Sequence, residues 1–163
     1  MKKMLLAFVT AAVLVSCGQN NEKGQVVNTE KFRALNELKE NNGKRFAIVG
    51  YPFIDGDLTV RGKFADESQL PQIGFYEQPG GKGSLISSFP MSNGKGKNEF
   101  DAPETFTMED VVFYDNEGKP LKYTDKMQVS FTMKLQVDRS KTKINDKSVY
   151  YGGPGDVRID KAN

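Results

Sequence analysis

The sequence predicts a mainly β domain: a small antiparallel barrel carrying one short N-terminal helix, with a β-sandwich as the alternative. Three observations lead there. Short runs of alternating apolar and polar residues recur along the chain, broken by Gly-, Pro-, Asn- and Asp-containing turns roughly every 8–15 residues. Only one stretch past the first 28 residues combines helical spacing with start and stop signals. The clearest periodicity is KMQVSFTMKLQVD (126–138), in which Met127, Val129, Phe131, Met133, Leu135 and Val137 alternate strictly with polar residues. Period two sustained over that length means a long antiparallel strand with one wet face.

The chain begins with a basic start, Met1-Lys2-Lys3, followed by MLLAFVTAAVLV (4–15), an uncharged run too short for a stable span and suited to the apolar part of a secretory signal. It ends at Leu14-Val15-Ser16-Cys17, directly before the polar GQNNEKGQ (18–25). These four residues resemble the lipobox of bacterial lipoproteins. The resemblance covers residues 1–17 and implies that the Cys17 thiol is diacylglycerated and that the chain is cut before it. Residues 1–16 are then a lipoprotein signal peptide, 17–28 a lipid-anchored tether and 29–163 a single β-barrel-like domain. The implied location is the bacterial cell envelope, facing the periplasm or the cell surface. Gly18, where some lipoproteins carry a retaining Asp, points to the outer rather than the inner membrane. The alternative for Cys17 is a buried apolar thiol. It is the only cysteine, so an intrachain disulfide is excluded.

TEKFRALNELKENNG (29–43) is the helix: Thr29 is positioned to cap it, Asn41-Asn42-Gly43 to stop it, and Phe32, Leu35 and Leu38 form one apolar stripe for a sheet or a barrel end. KRFAIVGYPFI (44–54) is a strand apolar on both faces, with Gly50 and Pro52 marking a bulge or a sharp bend. LTVRGKF (58–64), QIGFYE (72–77) and SLISSF (84–89) follow as strands, and residues 90–104 as a Gly-, Lys- and Asn-rich connection. TFTMEDVVFYDNEGKPLKY (105–123) is a hairpin turned at Asp115-Asn116-Glu117-Gly118. After the long strand, 139–147 is a charged connector, and VRID (157–160) is a short closing strand.

"NGKRFAIVGY", "LTVRGKF", "DKMQVSFTMKL" and "DVRIDKA" are similar to strand entries of OB-fold domains. The helix departs from that pattern by preceding the first strand. The resemblance implies an OB-like barrel binding an oligosaccharide or oligonucleotide on its outer face.

Composition narrows the chemistry. The two lysines of residues 1–16 account for the whole formal charge of +2, so residues 17–163 are neutral, which disfavours nucleic acid as a ligand. With no histidine, His-dependent triads and most zinc or iron sites are excluded, and no cofactor or metal is expected. Asp55-Gly56-Asp57 and DNEGK (115–119) lack the spacing of a calcium loop and fit turns. Asp66-Glu67 and Glu109-Asp110 are the paired acids that a carboxylate hydrolase would use, but nothing in the sequence sets their separation. Tyr51, Phe53, Phe75, Tyr76, Tyr150 and Tyr151 offer aromatic surface, or else core. From these the candidate binding face is Tyr51, Phe53 and Tyr76 with the cations Arg61 and Lys63. The expected function is non-enzymatic: a domain held at the membrane through Cys17 that binds a protein or an envelope glycan, or serves as an accessory subunit of a membrane complex.

Overall fold

The computed structural model describes residues 22–35, 38–54, 70–137 and 150–163. These form a mainly β, antiparallel structure. The elements are β1 (Gln25–Val26), α1 (Thr29–Ala34), β2 (Arg45–Phe53), β3 (Gln72–Gln78), β4 (Lys82–Pro90), β5 (Phe100–Asp101), β6 (Val112–Tyr114), β7 (Pro120–Lys122), β8 (Met127–Val137) and β9 (Tyr150–Lys161). The main sheet runs β4-β3-β2-β8-β9, with β1 added parallel to β2, and β5-β6-β7 form a second small sheet.

β2 organises the main sheet. Its first half pairs with β8, from Arg45 opposite Thr132 to Gly50 opposite Met127, and its last three residues pair with β3. A strand shared in this way must be apolar on both sides. Phe46 and Ile48 are buried, and so is Ala47 on the other face, where Ser130 accepts a hydrogen bond from the Gly24 amide. The polar side of β8 is wet only at Lys134 and Gln136, Ser130 being fully buried, but the period-two pattern holds on its apolar side, where Met127, Val129, Phe131 and Met133 all lie in the core. Phe131 is its centre, with ring centroids 5.3 Å from Phe89, 5.6 Å from Phe32 and 6.3 Å from Phe46.

The path of paired strands does not close into a barrel among the described residues. Its two ends, β4 and β9, approach within 8 Å at Cα without forming a ladder. The edge of β9 is satisfied otherwise. The Ile159 amide donates to the Asn98 side chain (2.7 Å), and the Ile159 carbonyl accepts from the Asn116 amide (2.7 Å). The β4–β8 connection therefore occupies the edge that β4 would need, which blunts it against further pairing.

Several expected elements differ in extent. The helix is shorter: α1 stops at Ala34, Leu38 is extended and 49 % exposed, and residues Lys39–Asn41 make a single 3-10 turn. The apolar stripe thus ends at Leu35, and Asn41, buried, closes the gap by donating to the Leu35 carbonyl. The cap is Asn28 rather than Thr29, its side chain accepting from the Lys31 amide at 2.9 Å. The closing strand is longer than expected, because β9 runs through Gly152–Gly155 on a sheet edge, where Pro154 costs no ladder bond. The connection 90–104 holds a short strand, β5. The hairpin turn is as expected: the Asp115 carboxylate accepts from the Glu117 and Lys119 amides (both 2.8 Å), with Gly118 at φ +81°. The strand expected at 58–64, the Asp55-Gly56-Asp57 turn and the connector 139–147 lie outside the described residues.

Residues 25–27, expected within the tether, belong to the sheet. Gln25 and Val26 pair with Phe46 and Ala47, and Val27 is buried. Gly24 makes this approach possible: a Cβ there would collide with the Phe46 carbonyl.

Candidate functional site

Two outward-facing rows cross β2, β3 and β4. Register places Tyr51, Tyr76 and Leu85 opposite one another, and next to them Phe53, Gly74 and Ser88. The Phe53 and Tyr76 rings meet edge to face, centroids 5.9 Å apart at 87°. Glycine lets the rings lie low. A Cβ on Gly74 would come 2.9 Å from Tyr76 Cε2, and one on Gly81, which sits at φ +71° in the β3–β4 turn, would come 2.8 Å from the Phe53 ring. Tyr51, Phe53 and Tyr76 are half-buried, and Leu85 is 43 % exposed. The result is a shallow aromatic-aliphatic surface with hydroxyls at Tyr51, Tyr76 and Ser88, a composition that offers stacking and hydrogen bonds without fixed charge.

The structure therefore brings together three of the five expected face residues. Arg61 and Lys63 lie outside the described residues, as does Cys17. Phe75, counted among the aromatic candidates, is instead fully buried against Phe89, because it occupies the inward alternation of β3. Leu85, Gly74 and Gly81 were not singled out from the sequence. The glycine-rich QPGGKG loop was visible there, but which ring each glycine lies beneath depends on register.

A second, polar site sits at the start of β2. Arg45 Nη1 donates to Thr132 Oγ1 (3.2 Å) on β8 and to the Asp156 carbonyl (3.0 Å) on β9, while its Nε donates to the Glu22 carbonyl. A bulge in β9 opposite Ser130 and Thr132 turns that carbonyl out of the ladder, and Asp156 takes φ +51°. Burial lowers the Arg45 pKa, with Asp156 opposing the shift, yet a guanidinium stays charged. Arg45 borders a hollow of about 380 Å³ that Asn98, Glu99, Asn116, Asp156 and Arg158 also line. Most of these groups are already engaged. Arg158 makes a two-pronged pair with Asp160 (2.8 Å each), Glu99 accepts from the Gly96 amide, and Asn98 donates to Asn116 (3.2 Å). The hollow is thus a set of structural ties.

The acid pair Glu109-Asp110 is likewise committed. Asp110 accepts from the Thr107 amide (2.8 Å) and hydroxyl (2.9 Å) in a capping box, and Glu109 accepts from the Tyr123 hydroxyl (2.9 Å). The Glu109 carboxyl is held below the usual range by its own backbone amide and then by the Tyr123 hydroxyl, and Thr107 does the same for Asp110, whereas a general acid needs the opposite shift. Asp66-Glu67 lies outside the described residues. Among the described residues, no group of three or more metal-ligating side chains is found, and no helix is long and apolar enough to cross a membrane. No family model, curated protein or solved structure matches this chain.

Proposed function

We propose that this chain is a lipid-anchored, extracytoplasmic, non-enzymatic binding domain with an OB-like barrel, which takes a protein partner or an envelope glycan on its outer β2-β3-β4 face. The anchor rests on the lipobox-like Leu14-Val15-Ser16-Cys17. The OB-like reading is supported by the five-strand path, in which one strand, β2, serves two antiparallel neighbours in succession, and by the close approach of β4 and β9. The β5-β6-β7 sheet occupies the connection where such domains place their helix.

The observation that carries the binding role is the row Tyr51–Tyr76–Leu85 flanked by Phe53, rings laid over glycine on an open sheet face. Stacking on such rings contributes about 1–3 kcal/mol per planar ligand group. The test begins with crosslinking in intact cells and mass spectrometry of what co-purifies with the lipidated protein, followed by an envelope-glycan screen. Tyr51→Ala and Tyr76→Ala are expected to lose the captured partner or glycan while melting like the parent. Capture undiminished in both variants overturns this face as the site.

A further inference from the structure

The described chain is locked to the domain from Glu22 onward. Arg45 holds the Glu22 carbonyl, Ser130 holds the Gly24 amide, and the Val27 amide donates to the Ala47 carbonyl at 2.8 Å. Resting on the lipoprotein reading, this shortens the free tether. From Cys17 to Glu22 there are five residue steps, at most about 18 Å when fully extended. The attachment point lies at the start of β2. On β2 itself the aromatic residues lie toward the other end, Phe53 being eight residues on, about 26 Å along the strand.

We infer that the Arg45 end of the sheet is a membrane-facing surface, apposed to phospholipid headgroups, and that the aromatic face is held outward. The exposed cations Lys23 and Lys44 flank the attachment point, the first beside Glu22 and the second beside Arg45. They are placed to meet headgroup phosphates, and the short tether keeps them there at high effective concentration. A tether flexible from Cys17 to Asn28 would let the domain tumble. The β1–β2 pairing removes that freedom and gives the domain a fixed polarity relative to the bilayer.

The test uses full-length lipidated protein in phosphatidylethanolamine–phosphatidylglycerol vesicles carrying a headgroup nitroxide quencher. With Cys17 acylated, a single introduced cysteine is the only free thiol. A fluorophore is placed at Glu40→Cys, exposed in the turn leading into β2, or at Leu85→Cys, exposed in the aromatic row. Glu40→Cys is expected to lose most of its emission and Leu85→Cys to keep it. A nine-residue Gly-Ser insertion after Gly18 is expected to restore Glu40→Cys emission. Equal quenching at the two positions, or quenching at Glu40→Cys that the insertion does not relieve, overturns the orientation while leaving the anchor intact. Protein that carries no acyl mass and fails to float with vesicles overturns the anchor itself, and the orientation with it.

Discussion

Phe131→Ala is the perturbation that best tests the packing. Phe131 is fully buried on β8 and touches the rings of Phe32, Phe46 and Phe89, which come from α1, β2 and β4. Removing the ring opens a cavity that three separate elements must collapse to fill. Truncating a buried Phe costs about 3–5 kcal/mol, and rigid strands on two sides of the site limit relaxation, so a value of about 4 kcal/mol is expected. Against a total stability of about 5–15 kcal/mol, that is a large fraction. For a chain of this size each kcal/mol moves Tm by about 2–4 °C, which gives a drop of about 8–16 °C. Thermal and urea melts of the variant and its parent measure it, and Tyr76→Ala, on the open face, serves as the comparison with a much smaller shift. A Phe131→Ala protein that melts within about 2 °C of the parent would refute the assignment of the inward face of β8, and with it the register of the β2–β8 pair.

Four further outcomes are expected. Gly24→Val places a branched side chain against the Phe46 backbone, so β1 is expelled from the sheet; a loss of about 1–3 kcal/mol and new proteolytic cleavage ahead of residue 28 are expected. Arg45→Lys retains the charge but offers no fork for the Glu22, Thr132 and Asp156 oxygens; a loss of about 1–2 kcal/mol in a urea melt is expected, where an unchanged midpoint would show that the fork is dispensable. Asn98→Ala leaves the Ile159 amide unpaired at the β9 edge, and amide exchange at Ile159 should accelerate markedly while β8 stays protected. Asp110 has a carboxyl held below its ordinary pKa by Thr107, so its contribution is full above the unfolded value of about 3.9 and is lost as pH falls through the lower folded value. Tm should therefore hold from neutrality to about pH 4 and fall below that, and Asp110→Asn should flatten the acid limb.

What the sequence alone determined was local. Strict alternation from Met127 to Val137 defined β8 and its buried face, because a pleated strand turns every second side chain the same way. Phe46, Ala47 and Ile48 marked β2 as apolar on both faces, and the Asp115–Gly118 turn followed from side-chain and φ requirements that four residues satisfy among themselves. The candidate pair Tyr51 and Phe53 was legible for the same reason, being two residues apart on one strand. Tertiary structure decided everything that depends on pairing. Leu38 fits the helical stripe as well as Leu35 does, yet the chain leaves the helix where Asn41 can close on the Leu35 carbonyl. Phe75 and Tyr76 are indistinguishable as neighbours in sequence; the β2–β3 register buries one and turns the other outward. Gln25–Val27 carries no strand signal of its own, and it joins the sheet because Gly24 permits close approach and because Arg45 reaches back to the Glu22 carbonyl. Contacts between residues 23 to 111 positions apart, such as Arg45 with Glu22 and with Asp156, leave no periodic trace in the chain, since the partners are brought together by the ladder of β2, β8 and β9 rather than by spacing.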